Sequence, residues 1–416
     1  MSVIAQSSLA IEPVAPATQE ELAAAVADAY KSGTALYPIG GGTGLSFGLA
    51  AKRAGRGLTT TRLNRVIDYP NRDMTITVEA GITMHALAEA LARHGQRLPV
   101  DAPQASAATL GGVVAASVSG PRRCAYGTMR DYVIGISAVD GRGVAFKAGG
   151  RVVKNVAGYD FCKLLTGSRG AIGIITQVTL KLRPIAEATA FVTCDVEDFD
   201  RAEMLLAALV QSSVTPAAIE LLTGPAWADE QALGPTAAAA RITLAVGLEG
   251  TQPEVDWMIN QLSREWADLG FRRPRVISGS PAAELWGKLV EFQAAGTPAL
   301  VVKAAVPPSA VTRFVAAALA IDGRCSIQAH AGNGVLYIKF PEFSSADAAQ
   351  VLVRGLQPAA ARAGGYATVY TCPIGTELTH QAVWGPQPAD TRLAGAVKSQ
   401  LDPKGLFNPG LIAFAC

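Results

Sequence analysis

Glycines and one threonine crowd a short loop near the amino terminus. The loop lies in PIGGGTGLSFG, which begins at Pro38. Consecutive backbone N–H groups without side chains can turn towards one anion, so these residues could hold a phosphate. The dinucleotide fingerprint G-x-G-x-x-G does not fit, because Leu45 takes the third glycine position when the pattern starts at Gly40. Starting at Gly42 places Phe47 there, and no Lys-Ser or Lys-Thr follows, so a plain glycine-rich turn stays an alternative.

A second stretch, QAHAGNGVLYIKF, places a histidine beside a Gly-Asn-Gly turn on a predicted strand. This residue is His330, one of four histidines in the chain. Histidine accepts protons near neutral pH and binds metals, but a metal site needs several ligands at fixed spacing. The stretch therefore raises the question of whether His330 takes part in chemistry.

Composition and charge exclude several classes of protein. Half of the 416 residues are apolar and 17% are charged, which favours a globular chain of two domains. The formal charge is +2 and like charges do not run together, so nucleic acid is not an expected partner. The cysteines are too scattered for a zinc or iron–sulfur site, so any cluster that takes electrons from this chain lies on another chain. They are Cys124, Cys162, Cys194, Cys325, Cys372 and Cys416.

The sequence predicts a protein without a leader or a membrane span. Its first residues lack a cationic region followed by a sustained apolar stretch, and about 18 uncharged apolar residues occur together nowhere. We expect a cytoplasmic protein, held at the inner face of the cytoplasmic membrane only through its partners.

Local patterns predict the elements around the glycine loop. Thr18 and Glu21 form a capping box before a helix that Gly33 ends, and the strand ALYPI follows and leads into the loop. The run MTITVEAG alternates like a strand, and a helix from Thr83 to Gly95 comes next.

A segment of small residues follows, and then a predicted hairpin. The residues from Val100 to Pro121 are too small to build a core, so they either pack tightly or let a ligand approach the backbone. The strands DYVIGISAVD and GVAFKAGG are joined through Asp140-Gly141, a strong hairpin signal. After Pro184 helices and strands alternate, which favours a second α+β domain.

Four segments of the first 185 residues resemble, in their order along the chain and in their residues, the FAD-binding domain of the vanillyl-alcohol oxidase and p-cresol methylhydroxylase family. They are the glycine loop, TLGG at Thr109, YGTMRDYVIG at Tyr126, and the run from Gly149 to Pro184. The ending DPKGLFNPG extends the resemblance to FAD-binding subunits of bacterial glycolate-oxidising complexes. The implied fold is α+β: a two-subdomain FAD-binding domain of the p-cresol methylhydroxylase type (1–186), an α+β cap domain with an antiparallel sheet covered by helices (187–384), and a C-terminal segment returning to the FAD domain (385–416).

The resemblance also implies which residues bind FAD. The glycine loop would cradle the pyrophosphate, the segment after Thr109 would line the pyrophosphate and ribityl path, and Gly173 to Ile175 would meet the adenine. Tyr159 would lie near the isoalloxazine, with a core tyrosine beside a local cap as the alternative. The full set is Gly40, Gly41, Gly42, Thr43, Gly44, Leu45, Thr109, Leu110, Gly111, Gly112, Ser117, Ser119, Gly127, Asp131, Gly158, Tyr159, Asp160, Gly173, Ile174, Ile175 and Asn408.

Non-covalent FAD is expected, although some members of this family attach the flavin to a histidine or cysteine. The glycine loop holds no histidine. His85 and His94 fall on a predicted helix, where a solvated or capping role is favoured.

The second domain resembles that of relatives that oxidise D-lactate or glycolate directly, but it departs from their ligand pattern. Those relatives carry H-x-G-D-G-N-x-H, whose histidines help to hold a divalent metal, and a downstream Glu-His pair. Here His330 matches the first histidine, Asn333 stands at the aspartate and Tyr337 at the second histidine. Glu377 has no adjacent histidine, since His380 lies three residues on. We therefore expect no metal site, and we interpret His330 as a lone, satisfied strand histidine.

The catalytic residues are not identified from the sequence. Removing a hydride from a 2-hydroxy acid requires a group that binds the carboxylate and a base for the hydroxyl proton. Arg122, Arg123 and Arg130 could pair a carboxylate, the cofactor phosphates or an acidic surface.

Three functions remain open at this stage. The leading one is an FAD-binding subunit that works beside a homologous flavin subunit, which oxidises glycolate, and an iron–sulfur subunit, with its own flavin as a relay or structural cofactor. The others are a self-sufficient FAD-dependent dehydrogenase for a 2-hydroxy acid, and a non-catalytic assembly subunit without flavin.

Overall fold

The computed structural model describes residues 11–49, 51, 53–151, 158–228, 230–234, 241–271, 274–372, 378–386 and 390–410. The described residues cluster into two compact units. Unit 1 comprises 1–119, 127–185 and 386–416, and unit 2 comprises 120–126 and 186–385. The short segment 120–126 therefore belongs to unit 2, although the chain on either side of it belongs to unit 1. The domain bounds expected from the sequence stay a prediction.

Helices are distributed over both units. Within the described residues they are α1 Gln19–Ser32, α2 Met84–Ala92, α3 Leu110–Ala116, α4 Arg123–Tyr126, α5 Met129–Tyr132, α6 Phe161–Leu165, α7 Phe199–Gln211, α8 Pro225–Ala228, α9 Gln252–Asp268, α10 Ser280–Glu291, α11 Val311–Ile321, α12 Gln357–Arg362, α13 His380–Trp384 and α14 Thr391–Leu401. In the part of the chain that the structure covers, no helix has both the length and the apolar character needed to cross a membrane.

The strands build one large sheet in unit 2 and smaller sheets in unit 1. They are β1 Ile11–Val14, β2 Ala35–Ile39, β3 Gly55–Thr59, β4 Val66–Asp68, β5 Thr75–Glu79, β6 Gln96–Arg97, β7 Val133–Val139, β8 Ala145–Gly149, β9 Ile174–Lys181, β10 Arg183–Pro184, β11 Ala188–Val196, β12 Ala218–Thr223, β13 Ile242–Gly250, β14 Arg275–Ser278, β15 Leu300–Ala305, β16 Ser326–His330, β17 Val335–Phe340 and β18 Tyr366–Thr371.

Helix α1 forms where its local signals predict it. The Thr18 side chain accepts a hydrogen bond from the Glu21 backbone N–H at 3.1 Å, and Gly33 ends the helix in the left-handed region at φ +72°. Leu22 and Val26 are fully buried, because helical spacing brings them to one face. The helix leads directly into β2, the strand that precedes the glycine loop.

The described residues of unit 1 form three sheets. A parallel sheet has the order β1-β3-β2, an antiparallel sheet has the order β4-β5-β9-β7-β8, and β6 and β10 form an antiparallel pair. Strands β7 and β8 form the predicted hairpin, and the Asp140 carboxylate fixes its turn by accepting from the backbone N–H groups of Arg142 and Val144, both at 2.9 Å.

Unit 2 is built on an eight-stranded sheet with the order β14-β11-β13-β12-β16-β17-β15-β18. Every adjacent pair is antiparallel, so the predicted α+β class and antiparallel sheet are confirmed. Phe191 on β11 packs against Trp286 on α10, with ring centroids 5.2 Å apart. The opposite face carries buried side chains as well, such as Val192 and Leu244, so helices cover this sheet closely.

The C-terminal segment of the described chain packs against β2. Leu36 donates its N–H to the carbonyl of Leu406 at 2.8 Å, and Asn408 donates its N–H to the carbonyl of Leu36 at 2.9 Å. Lys398 holds this segment from inside unit 1, since it is buried with Asp402 and their charged groups lie 2.8 Å apart.

Candidate functional site

The glycine loop leaves the end of β2 and lies against the small-residue segment. A Cβ on Gly41 would collide with the backbone carbonyl of Ala107, and one on Gly40 would collide with the Thr109 hydroxyl. Gly42 and Gly44 have no such backbone contact, and both are exposed. Two glycines are thus required for close packing, whereas the other two leave backbone accessible to a ligand.

The small-residue segment packs directly against this loop. Thr109 is buried and caps α3 through a 3.4 Å hydrogen bond from the Gly112 N–H. Gly111 donates its N–H to the carbonyl of Ala80 at 2.7 Å, and a Cβ on it would lie 2.7 Å from the Ala80 side chain. Since a larger side chain at Gly111 would displace Ala80 or α3, the small residues serve close packing, one of the two roles that the sequence left open.

Ser117 and Ser119 follow at the end of α3. Ser117 ends the helix in the left-handed region at φ +50°, and Ser119 is buried. The turn that precedes β9 reaches this point, because Arg169 donates its N–H to the carbonyl of Ala115 at 2.7 Å. The guanidinium of Arg169 lies over the ring of Phe47, 3.2 Å from its centroid.

Asn408 joins the same cluster through its side chain and its backbone. Its amide donates to the carbonyl of Arg169 at 2.9 Å, while its own N–H bonds to β2. The structure therefore brings together the glycine loop, the segment 107–119, the turn at Arg169 and Asn408. Sequence reasoning overlooked Arg169, although the Gly-Ser-Arg-Gly turn around it carried a signal.

Several other predicted residues have local roles. The Asp131 carboxylate accepts hydrogen bonds from the N–H and the hydroxyl of Thr128 at 2.7 and 2.9 Å. The hydrogen bond from the backbone N–H is the main reason why the pKa of Asp131 is lowered. A Cβ on Gly127 would lie 2.7 Å from that carboxylate, which explains the glycine before this cap. Leu45 is half-buried in the glycine loop, and Leu110 is buried in the first turn of α3.

Residues 158–160 lie at the surface, beyond the residues 152–157 that the structure does not describe. Asp160 caps α6 through the N–H of Lys163 at 3.0 Å, so the local cap in the alternative interpretation is correct. Tyr159 is 88% exposed, so its alternative role as a core tyrosine is wrong. Gly158 precedes it with φ +81°.

The predicted adenine contact lies at the start of β9. Ile174 and Ile175 are buried and pair with Val139 and Ala138 of β7. Gly173 lies just before them, where a Cβ would be 3.3 Å from the Val139 carbonyl. The backbone of Ile174 and Ile175 therefore already pairs with β7, and the adenine contact stays a prediction.

The geometry around the glycine loop fits FAD. Gly42 and Gly44 are exposed and carry no side chain, Thr43 between them is exposed, and Gly112 is exposed near Gly40. A Cβ on either Gly42 or Gly44 would meet no backbone, so space for a ligand remains above the loop.

Unit 2 contains a buried polar cluster around His330. Nδ1 of His330 lies 2.8 Å from Oε1 and 2.9 Å from Oε2 of Glu220, and the Gln328 amide donates to Oε2 at 2.9 Å. Glu220 is 0% exposed and His330 is 3% exposed. The expectation of a satisfied histidine is correct, but His330 is not alone, because a carboxylate on the neighbouring strand binds it.

Tyr337 lies between two aromatic rings in this cluster. It makes edge contacts with His330 at 5.9 Å and with Tyr370 at 5.3 Å between ring centroids. The Lys303 ammonium lies 5.8 Å from the Tyr337 ring centroid. Glu377 falls outside the described residues. Among the residues that are described, no three His, Cys, Asp or Glu side chains gather as they would around a metal ion.

The candidate arginines have different environments. Arg122 donates to Oε1 of Glu249 at 2.7 and 3.1 Å, and its guanidinium lies 4.1 Å from the Trp286 ring centroid. This pairing anchors the segment 120–126 within unit 2, so the acidic partner is the alternative that the structure supports for Arg122. Arg130 is exposed on α5, and Arg123 begins α4.

Comparisons with known proteins identify domains and relatives. A family model described as FAD binding domain matches residues 13–149, and one described as FAD linked oxidases, C-terminal domain, matches 185–412. The first match confirms FAD as the cofactor.

Two curated relatives match part of the chain. Glycolate oxidase subunit GlcD of Bacillus subtilis is 29% identical over 212 residues, which cover 51% of this chain and 45% of that protein. D-2-hydroxyglutarate dehydrogenase of Xanthomonas citri pv. viticola is 37% identical over 167 residues, 40% of this chain and 35% of that protein. The chain thus matches less than half the length of each.

A solved structure matches over most of the chain. Alkyldihydroxyacetonephosphate synthase superposes with a TM-score of 0.70 at 18% identity, covering 95% of this chain and 76% of that one. At this identity the likeness concerns the fold alone.

Proposed function

This chain belongs to the FAD-linked oxidases, and we propose that it is the FAD-binding subunit of a multi-subunit complex that oxidises glycolate to glyoxylate. The family resemblance read from the sequence, and with it the class of FAD-dependent oxidoreductase, is confirmed. The likeness to a relative named a glycolate oxidase subunit supports the choice of complex and substrate.

Unit 1 would hold FAD through the residues that converge at the glycine loop. Gly42 and Gly44 would offer backbone N–H groups to the pyrophosphate, the segment from Thr109 to Ser119 would line the path of the ribityl chain, and Asn408 would steady the loop. Bound FAD supplies an acceptor for two electrons and a hydrogen. We propose that it is not covalently attached, so acid precipitation should release the yellow colour into the supernatant.

Tyr337 is the observation that carries the subunit proposal. It occupies the position of a second histidine ligand in directly oxidising relatives, and it is buried between His330 and Tyr370. A phenol in a packed aromatic row does not replace an imidazole ligand. Substrate oxidation is therefore proposed to occur mainly on a homologous FAD-containing subunit, with the flavin of this chain as a relay or a structural cofactor and an iron–sulfur subunit as the electron acceptor.

The test is a visible spectrum of the purified chain before and after anaerobic addition of glycolate. We expect bound FAD whose absorbance persists with glycolate alone and falls when the homologous subunit is added. Rapid bleaching by glycolate without any partner would contradict the subunit proposal. A colourless, FAD-free protein that purifies with its partners would instead support a role in assembly only.

A second candidate is a self-sufficient FAD-dependent dehydrogenase for a 2-hydroxy acid such as glycolate or D-lactate. The pairing of His330 with Glu220 favours it, because a buried carboxylate that orients an imidazole is an arrangement used to prepare a general base. Bleaching of the flavin by substrate alone is its expected result.

A further inference from the structure

The segments that converge at the glycine loop carry almost no charge. They are the loop itself (38–49), the segment 107–119, the turn 166–173 and Asn408, and Arg169 is the one charged residue in their sequences. The diphosphate of FAD is an anion, and backbone N–H groups offer it only partial positive charges. Within these segments, Arg169 is thus the residue that can supply a full countercharge.

The backbone of Arg169 has a strained conformation. Its φ of +51° lies in the left-handed region, which residues with a Cβ rarely adopt. Five non-glycine residues among those described have such a φ, and three of them, Ser117, Arg169 and Asn408, belong to this cluster. Strain of this kind gathers at ligand-binding sites, where the surrounding contacts maintain it. A glycine would fit the turn without strain, so the turn itself does not explain an arginine at this position.

Contacts on both sides of Arg169 fix its backbone. Its N–H donates to the carbonyl of Ala115 at 2.7 Å, and its carbonyl accepts from the Asn408 amide at 2.9 Å. Two residues earlier, Gly167 donates its N–H to the carbonyl of Val114 at 3.0 Å. The turn is therefore tied to the end of α3 and to the C-terminal segment, and the Arg169 side chain extends from a fixed point.

Phe47 places the guanidinium of Arg169 beside the glycine loop. The guanidinium carbon lies 3.2 Å from the centroid of the Phe47 ring, a close cation–π contact. The N–H of Phe47 donates to the carbonyl of Gly44 at 3.3 Å, so the ring belongs to the turn that follows the exposed backbone of Gly42 and Gly44. The N–H donors of a guanidinium lie in its own plane, so an arginine that stacks through its face can bind phosphate oxygens through its edge.

We propose that Arg169 binds the diphosphate of FAD, with Phe47 as the platform that holds its guanidinium at the glycine loop. The loop supplies backbone N–H groups, and Arg169 supplies the positive charge. Neither a substrate nor a partner subunit is needed for this role, so its test is independent of the glycolate proposal. The competing explanation is a purely structural stack between Arg169 and Phe47.

The test is a fluorescence titration with FAD at several salt concentrations, on purified chain from which the flavin has been removed. In Arg169→Met the apolar stem remains, whereas the charge and the donors are lost. We expect the dissociation constant at low salt to rise about 10- to 100-fold, the usual loss for a hydrogen bond to a charged group. Salt screens charges, so the wild-type affinity should fall as salt rises, and this fall should be smaller in Arg169→Met. Arg169→Lys, which keeps the charge but not the planar fork, should recover part of both the affinity and the salt dependence.

Arg201→Met is the matched control. Arg201 lies on α7 of unit 2, and its guanidinium is likewise placed over an aromatic ring, 4.2 Å from the centroid of Phe271. This variant should bind FAD as the wild type does, with the same salt dependence. A folded Arg169→Met, verified by circular dichroism, that binds FAD as tightly as the wild type would overturn the proposal. Weaker binding with the wild-type salt dependence would also overturn it, because loss of the stack alone would then account for the effect.

Discussion

Replacing Lys398 with methionine should destabilise unit 1 strongly. The Lys398 ammonium is buried and donates to the carbonyl of Ala171 at 2.8 Å, to Oδ2 of Asp402 at 2.8 Å and to the carbonyl of Phe407 at 3.1 Å. Methionine keeps most of the apolar stem but leaves the buried Asp402 carboxylate without its countercharge. Removing one partner of a buried ion pair costs about 3–5 kcal/mol, which is roughly a 10²- to 4 × 10³-fold change in the unfolding equilibrium.

The assay is urea unfolding of the purified chain, followed by circular dichroism, together with FAD affinity measured by flavin fluorescence. Lys404→Met is the control. This exposed lysine donates to the carbonyl of Tyr30 and lies over the ring of the same residue, so its replacement should cost about 0.5–1.5 kcal/mol. Lys398→Met should also weaken FAD binding, because Asn408 follows the Phe407 carbonyl that Lys398 holds. Equal unfolding midpoints for the two variants would refute the reasoning.

Three further outcomes are expected. Gly41→Val should raise the dissociation constant of FAD, because its Cβ would collide with the carbonyl of Ala107. Overpacking of this kind costs about 1–3 kcal/mol, so we expect a rise of about 5- to 150-fold, and unchanged binding would contradict it. Burial alone would raise the pKa of Glu79, but hydrogen bonds from Arg65 outweigh burial and lower that pKa. The Arg65–Glu79 pairing therefore stabilises the folded protein fully above about pH 4.3, and this stabilisation is lost as the pH falls through the lowered pKa. Acid-unfolding curves should therefore be shallower for Glu79→Gln, and curves of equal slope would count against this pairing. Tyr337→His alone should not create metal-dependent oxidation of glycolate, which a turnover assay with and without added divalent metal checks.

Local sequence signals predict much of the FAD-binding half. The helix from Thr18 to Gly33, the strand before the glycine loop and the hairpin at Asp140 follow from patterns that span only a few residues. Capping, left-handed glycine and strand alternation act between near neighbours, so one sequence reveals them. The individual cofactor contacts stay predictions, although the glycine loop, the segment after Thr109 and Asn408 lie together.

The same reasoning could not find the partners of isolated polar residues. Glu220 gave no signal from its sequence neighbours, since its role depends on a histidine 110 positions away that the sheet register places opposite it. Arg122 likewise appeared able to pair a carboxylate ligand, whereas it is bound to Glu249, 127 positions along the chain.

The sequence by itself determined the family and the cofactor through the resemblance of short motifs to a known family, and it determined the α+β class through that resemblance and residue periodicity. Only the tertiary structure decided that His330 has a carboxylate partner, that Tyr337 is packed between aromatic rings and that Arg122 is committed to unit 2. Such contacts depend on strand order and register, which are set by how the whole core packs. The polar contacts of unit 2 therefore depend on pairings across the sheet, whereas the glycine loop of unit 1 can be recognised from consecutive residues.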